Sequence, residues 1–426
     1  MKKKALCLVN AVGLTPELAR KLSISSKLGQ VSPMEGVFPA LTLPAQATML
    51  TGLLPSQHGI VGNGWYHRES QEVRFWIQSA QMVQGNNLVD EVDTAQVFAW
   101  FAQGGNAKWS VIPKPHYGCD GSKAFGVLDD TGLNLESNLG NFPFHRFWGP
   151  FSGFDSSLWI AKAASQLLQE KRPPLTMVYL PHLDYDFQRN LPGGSEPLNE
   201  LNGLLERLQN VCDKAEVEMV VVSEYGLEPV DTVVQPNRLF REKGWLKVRP
   251  GPFGEQLLPW DSGAFAVCDH QIAHVVVQKG VPTHEVRAAL LEMSGVEMCE
   301  PAEAFDLGHP RSGDLVAVTK AGAWFDYAFW ESEGFAPDYT RTVDIHRKPG
   351  YDPCELNLFS KGRMALRLAQ KKIGARVPMD IIDRDFSRIR GSHGRKTVGD
   401  QGPVFIGQGG PSRMVDLKAW ILDRLG

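Results

Sequence analysis

Residues able to carry chemistry first gather in residues 38–63, where Pro39 and Pro44 bracket Thr42. Pro44 lacks a backbone donor and biases Leu43 away from helical dihedrals, so Thr42 is expected in a fixed, non-helical bend. Residues 45–50 are predicted to form a helix, with Pro44 near its first turn. A hydroxyl held just before a helix N-terminus faces free N–H groups and the positive end of the dipole, a natural anion site. Gly52, Pro55 and Gly59 are expected to break the following chain into a loop around His58. Two readings of Thr42 stand. It is a nucleophilic or metal-binding hydroxyl beside an oxyanion pocket, or it is only an N-cap.

Other polar groups sit at the ends of apolar runs. Asn10 follows residues 5–9, the stretch 181–192 follows 175–180, and Glu224 and Tyr225 follow 218–222. These runs read as buried parallel strands, and open α/β sheets bind ligands at strand tips. Residues 264–277 read as one strand carrying Asp269, His270 and His274, with both histidines on one face. They are replacement ligands or buried, hydrogen-bonded side chains. Arg347 and Lys348 in the polar loop 344–353 either neutralise a phosphate or form a solvated turn. His393 stands in Gly391-Ser392-His393-Gly394.

The pattern Pro39-x-x-Thr42-x-Pro44-x-x-x-Thr48-x-x-Thr51-Gly52-x-x-Pro55-x-x-His58-Gly59-Ile60-x-x-Asn63 resembles the nucleophile segment of the type I phosphodiesterase/nucleotide pyrophosphatase family, within the alkaline phosphatase superfamily. The resemblance covers about residues 5–226 and resumes near Arg390. It implies a doubly wound α/β core with a mostly parallel sheet, and two divalent metals, usually zinc, at the C-terminal edge of that sheet. By resemblance Thr42 attacks phosphorus. Asp184 and His393 match ligands of the first metal, and Gln188 stands where the family has a histidine. His182 and Asp186 are nearby substitutes. Asn10 and Glu224 replace aspartates of the second metal, and Tyr225 replaces its histidine. An amide oxygen brings no charge, glutamate ligates one methylene further out, and glutamine is a poor zinc ligand. Such a site suits harder ions, magnesium, manganese or calcium, in one or two copies. Tyr225 is then expected to donate a hydrogen bond to a phosphoryl oxygen. Asn63, His270, His274 and Arg347 are the candidate substrate-binding residues. Two functions follow: a metal-dependent phosphoester hydrolase, or an altered superfamily member that binds a small phosphorylated molecule without hydrolysis.

The remaining chain must position these groups. Helices are predicted over 155–171, 197–212, 282–296 and 417–425, with a turn at 311–314 before a strand at 315–318. One catalytic domain is expected over 1–426. It contains an aromatic-rich lid or insert at 64–155, with 114–118 as a pocket-lining loop, and a peripheral subdomain at 240–385. The 426 residues carry a net charge of −4, are 43% hydrophobic and 22% charged, and show no basic block, so a nucleic-acid polymer is not an expected partner. Six scattered cysteines lack CxxC spacing and read as reduced, buried thiols. Lys2 to Lys4 begin like a signal peptide, but the apolar run that follows is too short for one. Cytoplasmic location and no membrane partner are therefore expected. The sequence assigns no oligomeric state.

Overall fold

The computed structural model of this chain describes residues 5–119, 123–191, 193–278 and 280–426. Lys2 to Lys4 and Pro192 lie outside the described residues. The central sheet has eight strands: β1 (Leu6–Ala11), β2 (Gln30–Pro33), β3 (Thr94–Val97), β4 (Trp109–Pro113), β5 (Val127–Asp129), β6 (Leu175–Leu180), β7 (Glu218–Val222) and, late in the chain, Val404–Gly407. Their order is β2, Val404–Gly407, β7, β1, β6, β3, β4, β5. The middle five, β7 to β4, run parallel; Val404–Gly407 and β5 run against them, and β2 pairs antiparallel with Val404–Gly407. Apolar side chains leave β1 in both directions. Cys7, Val9 and Ala11 enter one core and Leu6 and Leu8 the other. That two-sided burial is why β1, β6 and β7 read as near-continuous apolar runs. The fold is the mixed α/β architecture that the resemblance implied.

Four helices matter to the site or flank the sheet: α1 (Thr42–Thr51), α2 (Phe154–Glu170), α3 (His182–Asn190) and α4 (Glu196–Ala215). A second, fully antiparallel sheet is built from β8 (Ala264–Asp269), β9 (Ile272–Val277), β10 (Val296–Pro301) and β11 (Leu315–Thr319), in the order β8, β9, β11, β10. The expected helices at 282–296 and 417–425 appear as Thr283–Glu292 and Leu417–Leu425. Six cysteines are free, and all but Cys119 are buried. Among the described residues no helix is long and apolar enough to cross a membrane.

Five local expectations are corrected. The single strand over 264–277 is a hairpin whose turn is His270-Gln271, with Asp269 paired to Ile272. Residues 181–192, whose polar composition after a strand also reads as a loop, are mostly α3, and Asp184 and Gln188 at i, i+4 are bonded on one helical face. Around His58 the chain makes a helical turn, Pro55–His58, with Pro55 at its start and Gly59 left-handed at its end. The turn at 311–314 does precede a strand, but it reads as a hairpin turn and is not one, since β10 and β11 are joined by residues 302–314. Residues 114–118 do not line the Thr42 centre: His116–Tyr117 is a short exposed strand.

Candidate functional site

Thr42 is the first residue of α1, and the extended residue before the helix is Leu41, with φ −129° and ψ 153°. The bend lies one residue earlier than Pro44 suggested, so Thr42 is neither in a non-helical bend nor the N-cap. Pro44 is accommodated because a first-turn N–H has no intrahelical partner to lose. Leu41 offers no capping side chain, and Asn63 does that work from a distance. Its Oδ1 accepts from the Leu43 N–H at 3.1 Å. Asn63 in turn donates its backbone N–H and its amide to Asp269, at 2.8 and 3.2 Å.

The Thr42 Oγ1 lies 2.9 Å from the Tyr225 phenol oxygen. Tyr225 leaves the tip of β7, and its hydroxyl also reaches Asp184 Oδ1 at 3.5 Å. The Tyr225 ring stacks on His393, with centroids 3.8 Å apart and planes 10° from parallel. His393 donates from Nδ1 to the Ala40 carbonyl at 2.8 Å, which leaves Nε2 as the acceptor, 3.6 Å from Asp184 Oδ1. Its other face meets His270, and His270 stacks on Tyr351 at 3.6 Å. His270 holds a left-handed φ of 60° in the β8–β9 turn, the conformation a two-residue hairpin demands. Its Nδ1 donates to Asp269 at 2.8 Å.

Two carboxylates complete the cluster. Glu224 Oε1 accepts from the amides of Asn10 at 2.6 Å and Gln46 at 2.7 Å. Asp184 Oδ2 accepts from the Gln188 amide at 2.8 Å, and the Gln188 carbonyl accepts from Tyr351 at 2.6 Å. Burial pushes the Glu224 carboxyl up to about 8 and the Asp184 carboxyl up to about 7, and the hydrogen bonds each accepts offset only part of this. Both carboxyls thus hold their protons to higher pH than exposed carboxyls do.

Asn10, Thr42, Asp184, Gln188, Glu224, Tyr225, His270 and His393 thus converge, with Asn63 one layer behind. The other candidates do not join them. His274 is buried, but its Nε2 donates to the Val61 carbonyl and its Nδ1 accepts from the Gly313 N–H. The hairpin turn separates it from His270, so the two do not share a strand face. Arg347 is 66% exposed and pairs with Asp344, beside a surface cavity of about 610 Å³ lined by Arg74, Trp260 and His346. Its neighbour Lys348 is buried against Asp352 and Glu355 instead. His182 faces Ser157 at 3.0 Å, and Asp186 accepts from Asn190. Sequence alone does not single out Gln46 or Tyr351. Gln46 lies one helical turn after Thr42, which is the signal that could have found it. Tyr351 is 163 residues from Gln188 in the chain, and nothing local marks it.

The divalent ions expected here can be tested against the donors. Among the described residues no group of three His, Cys, Asp and Glu side chains is arranged to hold a metal ion. Of the oxygens near Asn10 and Glu224, Asn10 Oδ1 and Glu224 Oε2 lack a partner. They are two oxygen donors with at most one charge, whereas zinc sites use three or four nitrogen, sulfur or carboxylate ligands. The Asp184 side offers one carboxylate, one imidazole and an amide already bonded at both ends. The residues present do not fit a zinc pair.

Comparison with known proteins settles the lineage. The family model described as type I phosphodiesterase/nucleotide pyrophosphatase matches residues 6–352. The chain belongs to that family. Membership in the type I phosphodiesterase/nucleotide pyrophosphatase family supports phosphoester hydrolase activity in general. Solved structures repeat its fold. Phosphonoacetate hydrolase from Sinorhizobium meliloti 1021, in complex with phosphonoformate, is 16% identical with a TM-score of 0.64, over 100% of this chain and 96% of that one. An inactive form of murine ectonucleotide pyrophosphatase/phosphodiesterase 5, in complex with AMP, is 13% identical with a TM-score of 0.59, over 99% and 95% of the two chains. In this member of the type I phosphodiesterase family the centre holds the amides of Asn10, Gln46 and Gln188 and the ring of Tyr225.

Proposed function

We propose that this chain hydrolyses a small phosphoester with Thr42 as the nucleophile. The observation that carries the reading is the Thr42 hydroxyl, placed at the first residue of a buried helix and hydrogen-bonded to Tyr225 at 2.9 Å. In the first step the Thr42 oxygen bonds to phosphorus and the ester P–O bond breaks. The Thr42 proton passes to Tyr225 and on to Asp184, whose pKa of about 7 suits a general base at neutral pH. The departing alkoxide or phenolate takes up a proton, and water then splits the phosphothreonine. The N-terminal end of α1 faces the added negative charge. Comparing Thr42→Ala with Thr42→Ser on p-nitrophenyl phosphomonoesters and phosphodiesters tests the reading. Loss in the alanine variant with partial retention in the serine variant supports it. Equal turnover in wild type and alanine variant sinks it.

A second reading is favoured by a specific observation: the centre is closed. The Tyr225 ring fills the place between Thr42 and His393, and none of Asn10, Thr42, Asp184, Gln188, Glu224, Tyr225 and His393 is more than 7% exposed. The cavity beside Asn10 and Gln46 is about 10 Å³, room for a single water. On this reading the closed centre turns nothing over, and the protein binds a small phosphorylated molecule outside it, at a surface site such as the cavity beside Arg347. Binding of AMP by calorimetry, with no phosphoester hydrolysis in the same preparation, selects it.

A further inference from the structure

We infer that hydrogen-bond donors occupy, in this chain, the role that divalent ions hold in its family, so that the centre is stable and complete without a metal. The inference rests on the ligand positions and not on turnover at Thr42.

The departures from the family pattern act on the carboxylates as a set. Where an aspartate would stand, Asn10 presents an amide N–H to Glu224 at 2.6 Å, and Gln46 adds a second to the same oxygen at 2.7 Å. Where a histidine would stand, Gln188 presents an amide N–H to Asp184 at 2.8 Å. Where another histidine would stand, Tyr225 turns its phenol between Thr42 and Asp184, at 2.9 and 3.5 Å. A divalent ion and an N–H or O–H do the same electrostatic work on a buried carboxylate: each places positive charge against its lone pairs. Losing one metal ligand alone would leave such a carboxylate unsatisfied. Losing four together, each to a donor or to a longer acid that reaches one, does not.

The exchange also consumes the coordination sites. Glu224 Oε1 already accepts two short bonds, and Gln188 uses both ends of its amide, one on Asp184 and one on Tyr351. The Tyr225 ring lies flat on His393. The acceptors that remain free, Asn10 Oδ1, Glu224 Oε2 and the Nε2 atoms of His270 and His393, do not gather with a third His, Cys, Asp or Glu into a ligand set for an ion among the described residues.

The full chain, purified without chelator or added metal, tests this by elemental analysis and by melting in EDTA and in zinc, magnesium, manganese or calcium chloride. Strongly sub-stoichiometric metal and one Tm under all five conditions is the expected result. Near-stoichiometric ion of any kind, or a Tm that EDTA lowers and a metal restores, overturns the inference. A second arm restores the family ligands with Asn10→Asp, Gln188→His, Glu224→Asp and Tyr225→His together. This variant is expected to gain a zinc-dependent rise in Tm, and a folded variant indifferent to zinc counts against the inference. If it does not fold, the wild-type measurements decide alone. Turnover separates this inference from the proposed hydrolysis. Activity that persists in EDTA supports both, and activity that EDTA abolishes and zinc restores overturns this one alone. A metal-free protein with no activity leaves this inference standing and removes the other.

Discussion

The hydroxyl of Thr42 and the phenol of Tyr225 lie 2.9 Å apart, although 183 residues separate them in the chain. Tyr225 thereby blocks and organises the same centre. Replacing it with phenylalanine removes one hydroxyl and keeps the ring stack on His393. Tyr225→Phe is expected to cost about 1 kcal/mol of stability, the net worth of a buried hydrogen bond, and to lower kcat more than it raises KM. Tyr225→Ala empties the ring's volume and is expected to cost about 3–5 kcal/mol. Chemical denaturation of both variants checks the ordering, and a phenylalanine variant as unstable as the alanine one would contradict it.

Thr42 is expected to matter for chemistry rather than folding. Thr42→Ala is expected to reduce phosphoester turnover by about 10³-fold or more, as loss of an attacking hydroxyl does, with stability lowered by no more than the about 1 kcal/mol that its hydrogen bond to Tyr225 contributes. Thr42→Ser keeps the oxygen and is expected to retain measurable activity.

Glu224 gives a pH signature. Its folded pKa is raised by burial to about 8, so the folded state holds this proton more tightly than the unfolded chain does. The stabilising contribution is fully present below the unfolded carboxyl range. It is lost as pH rises through about 8. Glu224→Gln removes this titration while keeping an acceptor toward Asn10 and Gln46. The Tm of the variant relative to wild type is expected to rise steadily between the ordinary carboxyl range and pH 8. A flat difference across that window would show that the carboxyl is not held neutral.

Asn63 is expected to be structural as much as ligand-facing, since it caps α1 and donates twice to Asp269. Asn63→Ala leaves the Leu43 N–H and one Asp269 bond unmet in a buried place, at a cost of about 1–3 kcal/mol. Asn63→Asp restores the cap acceptor but sets a second carboxylate against Asp269, so it is not expected to rescue. Melting curves of the two variants distinguish these effects.

Lys348 is a buried cation held by Asp352 at 2.8 Å and Glu355 at 2.6 Å. Lys348→Met is expected to destabilise by about 3–5 kcal/mol, because two buried carboxylates lose their partner. A phosphate-binding role would instead predict weaker ligand binding with normal stability.

Much of this was legible in the residues themselves. The apolar runs ending at Asn10 and Glu224 marked strands of the central sheet, because a sheet covered on both faces needs apolar side chains in both directions. Thr42 between Pro39 and Pro44 marked a helix start next to a hydroxyl. The late glycine-flanked His393 was recognisable by its place after Arg390. Local propensity misplaced other pieces. Asp184 and Gln188 lie on a helix that the polar composition of 181–192 disguised. His270 and His274 looked like neighbours on one strand until the left-handed turn at His270 divided them.

What the amino-acid sequence determined by itself was the family, the fold and which side chains stand at positions 10, 188, 224 and 225, because those depend on residue type and order along the chain. Tertiary structure alone decided what the departures do. Whether an amide is a weak metal ligand or a hydrogen-bond donor depends on which way it faces and what lies within 3 Å, and although Gln188 and Asp184 are one helical turn apart, Gln188 and Tyr351 are 163 and Asn10 and Glu224 214 residues apart in the chain. Such distances are closed by the folding of the whole sheet, and no local pattern records them.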